Sequence, residues 1–318
     1  MNSGFRLISL LFSFLLIIVL FAGCDEEQPQ QTNQGFLFFG AKAEPTAARI
    51  IVPPEVARQV ELEIEWSYVV PLKKSEKFKN FSLIDDRLYV VTSSNYLVSM
   101  DGKKADPVYS WQLADPIATL CELRKYQDQL YSIVGGDLLV LDAQEGTILR
   151  EKSLGYGPVC PPARNSNYFY VPGADRRIHV MNASDMVKLF HVSANDGGGI
   201  TSVLADDEIV LFSTDAGTVA AMMTDQPVQY WRFQAARGVN GPIVDDGKNI
   251  IFSGRDAYIY SLDRKTGKLS WKYLTDALLT NPPRVTEDYV YQSIDSGGLL
   301  VIDKETGELA WRLDDGVD

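Results

Sequence analysis

An all-β fold assembled from one repeated four-stranded unit is what this 318-residue sequence predicts, and three observations carry the prediction. The five tryptophans, Trp66, Trp111, Trp231, Trp271 and Trp311, are separated by 45, 120, 40 and 40 residues, and the long gap is three steps of forty. Stepping through it from Trp111 reaches Arg150 in "EGTILREKS" and Phe190 in "SDMVKLFHVS", each at the same place after the same kind of turn. Second, an apolar run ends at Asp101, Asp142, Asn182, Asp263 and Asp303, with Met223 standing in the fourth copy. Third, the segments "RLYVVTS", "QLYSIVG", "YFYVPGA", "EIVLFST", "NIIFSGR" and "DYVYQSI" are short, rich in β-branched and aromatic residues, and followed by Gly, Asp, Ser or Asn. A period near forty marks an array of supersecondary units, and four short strands per period is the content of one β-propeller blade.

The chain opens with a processing signal. Arg6 precedes the apolar run Leu7 to Phe21, which at 15 residues is shorter than the roughly 20 needed to span a bilayer. Residues 1–23 are therefore predicted to be a signal peptide. The following "FAGC" resembles the lipobox of bacterial lipoproteins, with Phe21 where Leu is usual; the resemblance implies that Cys24 carries a diacylglycerol and becomes the mature N-terminus. Asp25 resembles the signal that retains lipoproteins of enteric bacteria in the inner membrane. Residues 24–60 form a tether that begins "DEEQPQQTNQG", and 36–57 are assigned no role. The propeller is predicted over 61–318. Within it, "ELEIEWSYVV" is an isolated outer strand holding Trp66, and six complete units run from about Phe78. Trp66 thus lacks a blade of its own. A six-bladed ring with an added strand and a longer ring whose seventh or eighth blade would follow both satisfy that count, and the longer ring is the expectation.

Each unit opens near a proline, as in "GPVC", "GPIV" and "NPPRV", which suits the first residue of a strand. The unit closes through "DRKTGKLSW" or "DKETGELAW". Asp263 and Asp303 can accept hydrogen bonds from amides of their own turns, and Gly267 and Gly307 can adopt the positive φ that closes a hairpin. With Thr266 and Thr306 between them, these residues set where the outer strand starts. Trp271 and Trp311 then stand four residues on, suited to fill the wedge between blades while donating one N–H. A single blade cannot bury both faces, so each copy requires its neighbour.

The run D-x-x-T-G-x-x-x-W, met by Asp263–Trp271 and Asp303–Trp311, resembles the tryptophan-docking repeat of pyrroloquinoline-quinone-like β-propellers. That group includes quinoprotein dehydrogenases and a lipoprotein component of the outer-membrane β-barrel assembly machinery. The resemblance covers roughly Glu61 to Asp318. It implies the fold directly, whereas function must be argued from sites.

Composition excludes some functions. A net charge of −12 opposes nucleic acid and anionic membranes, and no basic stripe reverses it locally. His179 and His191 both come from the third unit and are read as filler or surface residues, so no metal is expected. "NDGGGIT" lacks the Lys-Ser/Thr ending and following helix of a phosphate loop, and reads as a connection between blades. The pairs Asp85–Asp86, Asp206–Asp207 and Asp245–Asp246 recur at equivalent turns, which argues for hairpin chemistry over catalysis. Cys121 and Cys160 lie in the opening strands of adjacent units, a placement that disfavours a disulfide. The resemblance also implies an alternative, a quinone-dependent dehydrogenase with pyrroloquinoline quinone and calcium. The chain lacks the adjacent cysteines often found in alcohol-oxidising members and is about half their length. No cofactor is therefore expected. The resulting expectation is a non-enzymatic, lipid-anchored scaffold on the periplasmic face of a bacterial envelope, at the inner membrane if Asp25 acts as above. It would bind proteins or peptides at its rims, as in envelope or outer-membrane protein assembly.

Overall fold

The computed structural model describes residues 70, 72, 76–104, 106–295 and 298–314. Cys24, Asp25, Trp66 and the predicted signal peptide and tether lie outside the described residues. Every regular element described is a strand, and the strands form six antiparallel sheets of four, each a blade of the propeller fold. The blades span 78–112, 124–153, 163–193, 200–234, 239–274 and 284–314. The chain divides into two compact units, Met1–Ala118 with blade 1 and Thr119–Asp318 with blades 2 to 6.

In the first unit, strands Phe78–Ile84, Arg87–Thr92, Tyr96–Asp101 and Pro107–Gln112 pair in sequence order. Val70 and Leu72 cover one face of this blade, packing with Leu88, Val90, Val98 and Met100. The Asp101 carboxylate caps the last hairpin by accepting from the Lys103 and Lys104 amides at 2.9 and 2.8 Å.

In the second unit the strands of each blade also pair in sequence order. The second and third strands are buried along nearly their whole length in blades 2 to 5, while the fourth is largely exposed. Alternation of side chains explains this double burial. In Tyr168–Gly173, Phe169 and Val171 enter the core shared with blade 2, and Tyr170 enters the core shared with blade 4. In blade 5, Ile250 and Phe252 pack towards blade 4 and Ile251 towards blade 6. Blades 3, 4 and 5 therefore give successive residues to opposite neighbours, and the hydrophobic core of this unit is a series of layers between blades.

The first strands of blades 3 and 6 are shorter than the sequence suggests, each following two successive prolines. "GPVC" contributes an isolated bridge, Pro158 with Gly173, and the strand of that blade is only Ala163–Arg164, after Pro161 and Pro162. "NPPRV" yields only Arg284–Val285, because proline offers no amide to a ladder. "GPIV", with one proline, lies within the full strand Val239–Asp245. Arg124 of blade 2 donates to the Val203 carbonyl of blade 4 at 2.8 Å.

Candidate interaction surface

The turn motif and the docking residue meet across blade boundaries. Asp263 Oδ1 accepts from the Thr266 amide and hydroxyl at 2.8 and 2.7 Å, and Gly267 N donates to the Asp263 carbonyl at 2.8 Å. Asp303 and Thr306 repeat the arrangement at 2.8 and 2.9 Å. The Thr266 hydroxyl, then its amide, hold the Asp263 carboxyl below the usual carboxylate range; the Thr306 amide, then its hydroxyl, do the same for Asp303. Trp231 of blade 4 lies over Gly267 of blade 5, and Trp271 of blade 5 lies over Gly307 of blade 6. A Cβ on these glycines would fall 2.4 and 2.6 Å from the indoles, so the φ of +66° and +74° is only part of why Gly stands there. The indole N–H groups donate to the Arg264 and Lys304 carbonyls at 2.9 and 2.8 Å.

Where tryptophan is replaced, the carbonyl at that turn position still finds a donor from the preceding blade. At the junction of blades 2 and 3 the Arg150 guanidinium donates to the Ala183 and Ser184 carbonyls. Met186, at φ 57°, takes the glycine position and buries its side chain, since no indole lies over it. Phe190 cannot donate, and at the junction of blades 3 and 4 the Tyr170 hydroxyl supplies the bond, to Thr224 O at 2.8 Å. The Arg150 register position was visible in the sequence. Tyr170 lies on a different strand from the docking register, and no spacing signalled it.

The docking positions are unequal in exposure. Trp231 and Trp271 are 8% and 9% exposed, whereas Trp111 and Trp311 are 37% and 48% exposed. The difference at Trp311 comes from its sheet face. In blade 6, Val290, Ile294, Leu300 and Ile302 pack on blade 5. The opposite face presents Trp311 and Leu313 on its outer strand, with Tyr291 and Leu299 half-buried beside them. This is an apolar face of the same make as the one blade 5 turns towards Gly307.

Ion pairs join the ends of the blades that carry the first-to-second and third-to-fourth strand turns. The buried Arg264 pairs with Asp245 at 2.8 Å and with Asp206 and Glu208 of blade 4. Lys304 pairs with Asp246 at 3.4 Å, and Lys248 with Glu305. Asp206 and Asp246 also cap their own hairpins, each accepting from two amides of its turn. The paired aspartates thus serve turns and junctions.

The remaining sequence features are occupied structurally. In "NDGGGIT" the Gly198 and Gly199 amides donate to Asp196 and Asp215, both at 2.8 Å, which leaves those amides engaged by the chain's own carboxylates. His179 is buried, stacked on Tyr156 with ring centres 3.9 Å apart, and hydrogen-bonded through Nε2 to Asp175 at 3.1 Å; burial pushes its pKa down. His191, its cross-strand partner, is exposed. Among the described residues no three His, Cys, Asp or Glu side chains are grouped to hold a metal ion. Cys121 and Cys160 are free thiols, and burial pushes Cys160 up to about 12.

A protein family described as outer membrane protein assembly factor BamB matches residues 217–318. No curated protein sequence matches the chain. Among solved structures, BamB from Moraxella catarrhalis is similar with a TM-score of 0.54 and 15% identity, over 74% of this chain and 76% of that one. The β-propeller domain of Cps50 (Swd1) from Myceliophteria thermophila is similar with a TM-score of 0.59 and 14% identity, over 76% of this chain and 89% of that one. At such identities the likeness is one of fold. The chain is accordingly a β-propeller, similar in fold to BamB and matching the family of the outer membrane protein assembly factor BamB over residues 217–318.

Proposed function

We propose that this propeller is a non-catalytic protein-interaction scaffold, anchored in the bacterial envelope through a lipid on Cys24 and working in envelope or outer-membrane protein assembly. The observation that supports it best is where the repeated motif residues are spent. Asp263, Thr266, Asp303 and Thr306 are spent within their own hairpins, and Gly267, Gly307, Trp231 and Trp271 in holding blade to blade, which leaves loop rims and the apolar sheet face that carries Trp311 as the functional surface. The match of residues 217–318 to an assembly-factor family supports the envelope role, as does the lipobox-like "FAGC". Asp25 supports the inner membrane as the site of anchoring, on the periplasmic face. Crosslinking in intact cells, followed by purification of the chain with its lipid anchor, tests the proposal. Envelope proteins captured by the native chain, and lost with a Cys24→Ala variant left unanchored, are the expected result. Dye-linked alcohol oxidation after addition of pyrroloquinoline quinone and calcium would refute it.

A further inference from the structure

We infer that Arg150 and Arg164 form a carboxylate-binding site on the rim between blades 2 and 3, and that its ligand is an acidic side chain on a segment of a partner protein. The inference rests on the scaffold function proposed above and assigns one contact of it.

Two guanidinium groups converge there on one uncharged acceptor. Gln129 Oε1 accepts from Arg150 Nη2 at 3.1 Å and from Arg164 Nη1 at 2.5 Å. Arg150 donates through Nη1 to the Ala183 and Ser184 carbonyls, as the docking residue of blade 2. Arg164 lies over the rings of Tyr126 and Phe169, 4.7 and 4.9 Å from their centres, and its Nε is enclosed without a hydrogen-bond partner. Neither arginine forms an ion pair with any described residue. The carboxylate closest in register is Asp142, opposite Gln129 in the sheet, and it caps its own turn through the Gln144 and Glu145 amides at 2.8 Å each. Both arginines remain half-buried, so an incoming group can reach them.

The other junctions show what is missing. Arg264 faces Asp206 and Asp245, and Lys304 faces Asp246, so at two later junctions the cation that follows the capping aspartate has a carboxylate. Between blades 2 and 3 two cations stand where the described residues supply only amide and carbonyl oxygens. In a protein whose net charge is −12, a pair of like charges, partly desolvated, has no carboxylate paired with it among the described residues. Arginine binds carboxylates through parallel N–H donors, and the flanking Tyr126 and Phe169 rings hold the Arg164 guanidinium in place for that contact.

The test uses fluorescence anisotropy of a labelled hexaglutamate peptide, with hexaglutamine as its neutral counterpart, against the full chain. The glutamate peptide is expected to bind with an affinity that falls as salt rises, and the glutamine peptide not to bind. Arg164→Gln is expected to weaken binding about tenfold or more. Gln129→Glu places a carboxylate between the two guanidiniums and is expected to abolish peptide binding while raising thermal stability, so a fold lost in Arg164→Gln leaves the inference testable. No binding by the wild type, unchanged binding by Gln129→Glu, or equal displacement by inorganic phosphate or acetate at the peptide's own concentration each overturns it. In the cellular crosslinking experiment, wild type and Gln129→Glu capturing the same partners would overturn this inference and leave the scaffold standing. Capture of nothing by the wild type would refute the scaffold itself.

Discussion

Trp271 and Trp311 occupy the same register of the same motif, yet one is 9% exposed and the other 48%, which makes them an internal control. If the indole acts by wedging against the glycine turn of the next blade, truncating Trp271 removes a buried aromatic and costs about 3–5 kcal/mol. Part of that cost is the Lys304 carbonyl, which accepts from the indole at 2.8 Å and would be left without this donor, a loss of about 1 kcal/mol. Truncating Trp311, half in solvent, should cost less than about 1 kcal/mol. With a urea slope of about 3 kcal/mol/M, the first change moves the unfolding midpoint by about 1 M or more and the second by less than about 0.3 M. Midpoints read by far-UV circular dichroism on Trp271→Ala, Trp271→Phe and Trp311→Ala decide the matter. Trp271→Phe should fall between the alanine variants, since it keeps a ring and loses the donor. Equal shifts for Trp271→Ala and Trp311→Ala would refute the docking role.

Three further outcomes are expected. Gly307→Ala puts a Cβ 2.6 Å from the Trp271 ring at a φ of +74°, whereas Gly247→Ala meets nothing within 4 Å at +87°; the first should cost about 1–2 kcal/mol more than the second in the same unfolding assay. Tyr170→Phe removes the donor to Thr224 O and the acceptor for Asn165, and should cost about 1–3 kcal/mol while leaving the circular dichroism spectrum unchanged. The Asp263 and Asp303 carboxyls have folded pKa values below their unfolded ones. The stabilisation they supply is therefore complete above about pH 4 and lost as pH falls through the lower folded values. Thermal midpoints of an Asp263→Asn, Asp303→Asn double variant should decline less steeply than wild type across that interval, because asparagine, as Asn182 shows, accepts from the turn without titrating.

The fold was legible because packing between repeats imposes a period that every copy must keep. Asp263, Gly267 and Trp271 each satisfy a local requirement, and the forty-residue interval aligns them without any knowledge of tertiary structure. Substituted junctions were legible only in part. Arg150 falls on the register and can donate, so its role follows from position, but Tyr170 reaches the equivalent carbonyl from an inner strand, where burial alone would account for a tyrosine. The short opening strands were foreshadowed by Pro161, Pro162, Pro282 and Pro283, since two successive residues without amides cannot hold a ladder. The convergence of Arg150 with Arg164 had no sequence signature at all. It depends on one arginine from an outer strand and one from an inner strand of the next blade sharing Gln129, a distance relation that no linear spacing encodes.

Alternate residues of a second strand serve opposite neighbours, as Phe169 and Tyr170 do. A one-residue insertion or deletion inside such a strand would exchange the two sets, sending every side chain beyond it into the wrong layer. Length variation in chains of this kind is thereby channelled into hairpin tips and connections, or into the gain and loss of entire forty-residue modules. Drift in sequence can be extensive while the frame of each strand stays locked.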